Sequence, residues 1–392
     1  MSARRLSTIR QINEIRRVCR NQSHLIIDGW NVVMKTPGGH TDFSIGEFVL
    51  FFEVDAWLPA RGRYGELFKE VGNPALLNGE NGFRVAAKSV TSTFKPYEVI
   101  RSQGHVFKLA ARKFPVVHAT FLREARGIGE MTENNIEILA EVLRKMDFSF
   151  VLGVKKWENE YESEMANIKI PSFVIKSDMD RVQNCVNLFK KPKYKAFIFQ
   201  ESVKMDGSSM TMYFVDHSSK CWDRLLPVPS QYASRSVPSD NARFGVCSKN
   251  FDLLDNGENQ NKLFWDAAMK SGIFPILRNV DLPLAVQGEL VGWNINGNPH
   301  GYPRDVVEFF MYSIIDLEEG VRLDPRKVEQ FAGKLGLLHV PVLGYVKIPE
   351  IATSHQDILD RAERRQGEGL VFKNCDDGRW FKVHSASYLV AR

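Results

Sequence analysis

Apolar positions along this chain change period twice. Residues 25–58 carry short alternating runs: LIIDGWNVVMK is broken at Asp28-Gly29, and GEFVLFFEVDAWLP ends at Pro59. An Asp-Gly step between apolar runs predicts a β-hairpin, because both turn positions need a positive φ. The second run reads as a further strand pair. Residues 60–82, rich in Gly and Asn, read as loops, and FRVAAKSV and VIRSQGHVFKLA as further strands. Short strands at this spacing predict a small barrel or sandwich. The period then turns helical: Thr132 is an N-cap, followed by an apolar stripe at Ile136, Leu139, Leu143 and Met146. The polar stretch 155–169 reads as a linker between an N-terminal domain, 1–165, and a second one, 170–392.

Past Pro171 the pattern predicts a short helix near 178–188 and two strands flanking residues 204–207. Strands follow in FGVCSKNFDLL, LPLAVQGELVGW and VVEFFMYSIIDL. Asp324-Pro325 opens a helix that Gly336 ends. VPVLGYV, GEGLVFKN and GRWFKVHS complete the set, the last two joined by a turn at Asp376-Asp377-Gly378.

A length of 392 residues predicts two domains, and 44% hydrophobic with 25% charged residues describes a globular chain. No apolar run reaches the roughly 18 residues a membrane helix needs. Five scattered cysteines without a CxxC pair argue against structural zinc or a disulfide framework. They fit a reducing, intracellular compartment, cytoplasmic or nuclear.

The net charge of +5 is local: Arg4, Arg5, Arg10, Arg16, Arg17 and Arg20 face only Glu14 in the first twenty residues. Three readings stand: a mitochondrial transit peptide, a phosphate-contacting arm, or a solvated face. A second basic cluster, Lys190, Lys191, Lys193 and Lys195, precedes residues 204–207.

Those residues, Lys204-Met205-Asp206-Gly207, place an ammonium between two apolar strands. Alone this is a solvated turn. Later strands add Glu289 in QGEL, Glu368 and Lys373 in EGLVFK, and Lys382 in FKV. Alternation puts Glu368, Leu370 and Phe372 on one face, with Val371 and Lys373 on the other. Three lysines in one pocket would repel, making one a neutral amine, while the others neutralise a polyphosphate. Carboxylates supply hard oxygen ligands for Mg²⁺. That equipment suits attack of a lysine on phosphorus with a pyrophosphate leaving group. No P-loop is present.

In this order, the residues resemble the covalent nucleotidyltransferase superfamily of ATP-dependent ligases and capping enzymes, with KxDG at Lys204–Gly207. Within it the chain resembles RNA ligases bearing an N-terminal OB-like module and no C-terminal domain. The likeness includes RRLSTIRQINEI, PSFVIKSDMDRVQN, GVCSKNFDL and SASYLV. It implies an α+β chain: an OB-like β-barrel with a helical insertion, then a nucleotidyltransferase (ATP-grasp-like ligase) domain of antiparallel sheets flanked by helices. It makes the arginine-rich start the barrel's first strand.

By the resemblance, Lys204 carries AMP, with Asp206 and Gly207 in its motif. Glu289 binds ribose, Glu368 holds a Mg²⁺ or Mn²⁺ ion or the end being activated, and Lys373 and Lys382 contact the α-phosphate. Lys249 contacts the nucleotide, and Phe309, or Phe310, stacks on the base. Arg4, Arg5, Arg10, Arg16, Arg17, Lys190 and Lys191 become contacts to RNA with 3′-OH and 5′-phosphate ends, a nicked duplex being the expected form. The expected protein is an ATP-dependent, monomeric RNA-repair ligase. A GTP-using capping enzyme, or a non-catalytic RNA-binding protein, are the alternatives. The chain departs from the family at Ser209, where DNA ligases have Arg, at Lys249 for Arg, and at His384 for a second lysine.

Overall fold

The computed structural model describes all residues except 1–3, 37–40, 96–97, 158–166, 229–240, 256, 258, 281 and 392. Contacts divide the chain into Met1–Tyr161 with Ala386–Arg392, and Glu162–Ser385. Residues 386–392, expected in the second domain, therefore group with the first.

In the first unit, a five-stranded antiparallel sheet runs in the order Gly104–Lys108, Phe48–Glu53, Ser7–Cys19, Gln22–Ile27, Trp30–Lys35. The arginine-rich start is its long central strand. Asp28 (φ +48°) and Gly29 (φ +82°) make the expected hairpin turn, both in the left-handed region. The sheet curls, and the Gln103 N–H donates to the Asn31 carbonyl at 2.8 Å, tying its two ends together. The expected pairing of Phe48–Glu53 with Ala56–Pro59 does not form. Ala56–Pro59 joins a separate sheet with Lys155–Lys156, Glu80–Arg84 and Pro74–Leu77. The latter two form a hairpin largely inside what read as loop, and Lys155–Lys156 falls at the start of what read as linker. Helix Glu133–Lys145 starts at Thr132, whose hydroxyl accepts from the Asn135 N–H, and buries Leu139 and Leu143.

The second unit holds two sheets. Seven strands run in the order Asn167–Lys169, Phe251–Leu253, Ala242–Cys247, Ser208–Asp216, Leu284–Gly292, Val307–Asp316, Val321–Arg322. Five run in the order Asp180–Arg181, Trp380–His384, Gly369–Asn374, Ile198–Val203, Val342–Lys347. Around 178–188 the expected helix is instead a short strand, a 3₁₀ turn and the single helical turn Asn187–Lys190. Helices Asn259–Lys270, Ile273–Asn279 and Pro325–Leu335 cover the larger sheet, burying Trp265, Leu277 and Val328 against Met212, Val286 and Met311. Helix Pro325–Leu335 has its expected caps, with the Asp324 carboxylate accepting from the Arg326 N–H and Gly336 left-handed. Helix His355–Arg365 lays Ile358, Leu359 and Ala362 on Leu370, Phe372, Phe381 and Val383 of the smaller sheet. Among the described residues no helix is long and apolar enough to cross a membrane.

Candidate active site

The strands on either side of Lys204 do not form a hairpin. Ile198–Val203 belongs to the five-stranded sheet and Ser208–Asp216 to the seven-stranded one, so residues 204–207 carry the chain between sheets. That crossover is narrow. The Lys204 N–H donates to the Gly369 carbonyl at 3.0 Å. A Cβ on Gly207 would lie 2.3 Å from the Leu290 carbonyl oxygen and 2.9 Å from Glu289 Cγ, so only glycine fits. Asp206 is buried. Its N–H donates to His300 Nε2 at 3.1 Å, while Asn296 Nδ2 donates to its carboxylate at 3.3 Å and to the Gly207 carbonyl at 2.6 Å.

Lys204 Nζ lies 2.6 Å from Glu368 Oε1. The same oxygen is 3.6 Å from His384 Nε2. Simple alternation placed Glu368 on the face of Leu370 and Phe372, yet those two are core while the carboxylate meets Lys204. The kink at Gly369, with φ +140°, ends the pleat between them. Glu289 is pushed up to about 8, chiefly by burial. Glu368 and Asp206 raise it further by like charge, while Lys204 and the Gly207 N–H oppose the shift.

Lys373 is 1% exposed. Its Nζ donates to the Tyr312 carbonyl at 2.8 Å and to Gln200 Oε1 at 3.3 Å, and stands 5.4 Å from the Tyr312 ring centre and 5.2 Å from that of Trp380. Burial brings its pKa down to about 7. A depressed lysine was expected from repulsion among lysines; the shift falls on Lys373, and its causes are burial first and then the charge of Arg322, not another lysine.

A cavity of about 150 Å³ is lined by Lys204, Lys249, Glu289, Lys373 and Lys382, with Ser177, Asp178, Ser209, Tyr312 and Trp380 among its other walls. Lys249 Nζ is 3.7 Å from the Asp178 carboxylate. Arg322 braces one wall, donating to the Lys176 carbonyl at 2.9 Å. Among the described residues no cluster of three or more His, Cys, Asp or Glu is arranged to hold a metal ion. A magnesium-type ion held largely by phosphate oxygens and water needs no such cluster, and the carboxylates acting together on Glu289 are compatible with one.

Two groups of expected contacts fall elsewhere. Phe309 is 6% exposed in the apolar core, packed where a Cβ on Gly288 would lie 2.4 Å from its ring, so it cannot stack on a base in the cavity. Phe310 pairs with Glu289 but is not a wall of the cavity. The aromatic walls are Tyr312 and Trp380. Between the pairs Gln287–Ser313 and Gly288–Met311, Tyr312 is the extra residue of a β-bulge, which local sequence does not announce. Burial and Glu289 raise the Tyr312 hydroxyl above its ordinary pKa.

Of the N-terminal arginines, Arg4 pairs with Glu53 at 2.9 Å. Arg10 is 2% exposed, 3.8 Å from Asp28, and burial lowers its pKa. Both are internal struts rather than free phosphate contacts. Arg5 is half-buried and Arg16 and Arg17 are exposed, Arg16 in contact with Glu14 and Arg17 with the ring of exposed Phe94, 5.5 Å away. Lys190 and Lys191 are exposed in the second unit.

Residues 198–384 match the family model for RNA ligase, and residues 6–104 match that of an OB-fold domain, PHA02142. Solved structures of an RNA ligase from Naegleria gruberi share the fold. The complex with PPi is 23% identical, with a TM-score of 0.72, covering 100% of this chain and 99% of that one. A point mutant with ATP and Mn is 24% identical, with a TM-score of 0.70 and 99% of each chain covered. A further mutant with AMP and Mn is 24% identical, with a TM-score of 0.71 over 99% of each. The search of curated proteins found no match.

Proposed function

From the premise that residues 198–384 form a domain of the RNA ligase family, we propose that the chain seals RNA 3′-OH and 5′-phosphate ends in RNA repair, using ATP and a lysyl-AMP intermediate. The observation that carries this is the position of Lys204: at the crossing of two sheets, 2.6 Å from Glu368, in a cavity it shares with Glu289, Lys373 and Lys382.

Lys204 Nζ, one ammonium proton released to solvent, attacks the α-phosphorus and releases a second proton as the phosphoramidate forms. The N–P bond forms, the bond from that phosphorus to the bridging oxygen breaks, and pyrophosphate leaves with the electron pair. An oxygen of the RNA 5′-phosphate then attacks the same phosphorus; the N–P bond breaks, and the lysine nitrogen leaves with the electron pair and takes up a proton from solvent to become an amine again. Finally the 3′-OH attacks the 5′-phosphate, giving up its proton as AMP leaves. Lys382 and Lys373 place positive charge where the leaving groups collect negative charge. Tyr312 and Trp380 offer faces to the adenine, and Glu289 accepts or donates at the ribose. A Mg²⁺ or Mn²⁺ ion would be held mainly by phosphate oxygens and water, with Glu368 and Glu289 the carboxylates at hand, and when bound it neutralises the phosphates.

In this reading the N-terminal module, residues 1–165, and the exposed Lys190 and Lys191 hold a nicked duplex. Arg16, Arg17 and Phe94 are the module's candidate contacts, and a single copy of the chain carries every group required. The test is incubation with α-labelled ATP and Mg²⁺ or Mn²⁺. Wild type should become labelled and Lys204→Ala should not; label persisting on the variant, or better labelling by GTP, overturns the reading.

A further inference from the structure

We infer that Gln200 and Glu329, neither of them a wall of the cavity, are positioning residues that hold Lys373 as an ammonium aimed at the nucleotide phosphates; this rests on the reading of Lys204 and Lys373 above. One row of side chains crosses the five-stranded sheet. Gln200 pairs in register with Tyr345 on one side and Lys373 on the other, and Lys373 pairs with Trp380. Directly paired residues share a face, so these four side chains stand next to one another. Glu329, on helix Pro325–Leu335, reaches the row. Its carboxylate accepts from the Tyr345 hydroxyl and, at 3.1 Å, from Gln200 Nε2.

Gln200 is fully buried, and its surroundings fix the orientation of its amide. Nε2 meets three acceptors: the Glu329 carboxylate, the Tyr345 hydroxyl oxygen at 3.0 Å and the Pro325 carbonyl at 3.3 Å. Turned over, the amide would set its oxygen against a carboxylate and a carbonyl, and its N–H groups against an ammonium. Oε1 is therefore presented to Lys373 Nζ at 3.3 Å, while the Tyr312 carbonyl accepts a second N–H at 2.8 Å. Amine and ammonium can both make these two bonds. Only the ammonium has a third N–H to give a phosphate oxygen.

Burial works against that proton, bringing Lys373 down to about 7. Of the groups around it, Glu329 and Cys375 raise its pKa and Arg322 lowers it. Burial raises the Cys375 thiol, so it is uncharged at pH 7. His339 is neutral there too, brought down to about 4 by burial and then by Lys373. Burial also pushes up the Tyr312 and Tyr345 hydroxyls, which stay protonated. Glu329 thus supplies the negative charge that favours the ammonium, and the Gln200 amide dipole between them points its oxygen the same way.

The experiment follows the rate of labelling from α-labelled ATP with Mg²⁺ in wild type, Glu329→Gln and the double variant Gln200→Glu/Glu329→Gln, between pH 6 and 8.5. Dividing each variant's rate by that of wild type at the same pH cancels the contribution of Lys204, common to all three. Loss of the Glu329 charge should move the alkaline fall in rate about one pH unit lower. Glu329→Gln should then stay within about twofold of wild type at pH 6 and be about tenfold slower at pH 8.5. The double variant, which returns a carboxylate to the row beside Lys373, should recover most of that loss. A Glu329→Gln ratio that is constant across the range, as lost packing alone would give, overturns the inference. So does a folded double variant no faster at pH 8.5 than the single one; if circular dichroism shows the double variant unfolded, the ratio in the single variant decides. Either result leaves the role of Lys204 standing, whereas wild type that forms no adduct overturns both.

Discussion

Replacing Lys373 with Met should stabilise the fold and disable the site. In the folded chain Lys373 has a pKa of about 7 against 10.5 when unfolded, with burial the main cause. Below pH 7 both states are protonated, and holding the charge inside the sheet costs ~5 kcal/mol. Between pH 7 and 10.5 the unfolded chain binds a proton that the folded chain does not, so wild-type stability rises with pH across this window. Above it both are neutral and the cost vanishes. Met nearly fills the same volume and carries no proton, so the slope disappears. It also gives up the bonds to the Tyr312 carbonyl and Gln200 Oε1, each worth about 1 kcal/mol. The balance is a variant about 2 kcal/mol more stable than wild type at pH 7. Urea unfolding of both proteins at pH 7 and pH 9 measures this. Wild type should gain ~2 kcal/mol over the variant between the two pH values, while adduct formation in the variant falls at least tenfold. Stability curves that stay parallel from pH 7 to 9 would refute the burial argument.

Gly207→Ala forces a methyl against the Leu290 carbonyl oxygen; adduct formation should fall about a hundredfold, ~2.7 kcal/mol of barrier, with circular dichroism unchanged, and near-normal labelling would show that the crossover has slack. Arg17→Ala should weaken RNA binding and lower the slope of log K against log salt by roughly 0.7–0.9; an unchanged slope would remove Arg17 from the phosphate contacts.

Legibility differed by kind of feature. The Asp28-Gly29 turn and the Asp324 and Gly336 caps could be read because each depends on the φ or side-chain oxygen of residues adjacent in the chain. Lys204, Glu289, Glu368, Lys373 and Lys382 stood out as charges inside apolar strand runs. Tyr312 did not, because it reaches the cavity through a bulge set by pairing with a strand some twenty residues away. The missed hairpin Pro74–Leu77 with Glu80–Arg84 lies in a Gly- and Asn-rich stretch with little alternation. Arg10 read as an RNA contact; only the packed barrel puts Asp28 beside it and Phe51 beneath it.

What the chain determines by itself about residues 204–207 is their chemistry: an amine, a carboxylate and a glycine between two strands. Tertiary structure decided that these strands enter different sheets. Alternation reports which residues share a face, but strand pairing depends on partners far along the chain and on the burial they gain together. The five-stranded sheet therefore brings Glu368, Lys373, Lys382 and His384 to Lys204, and the seven-stranded sheet brings Glu289 and Tyr312. Burial, which exists only once both sheets have formed, sets the proton affinities of Lys373 and Glu289.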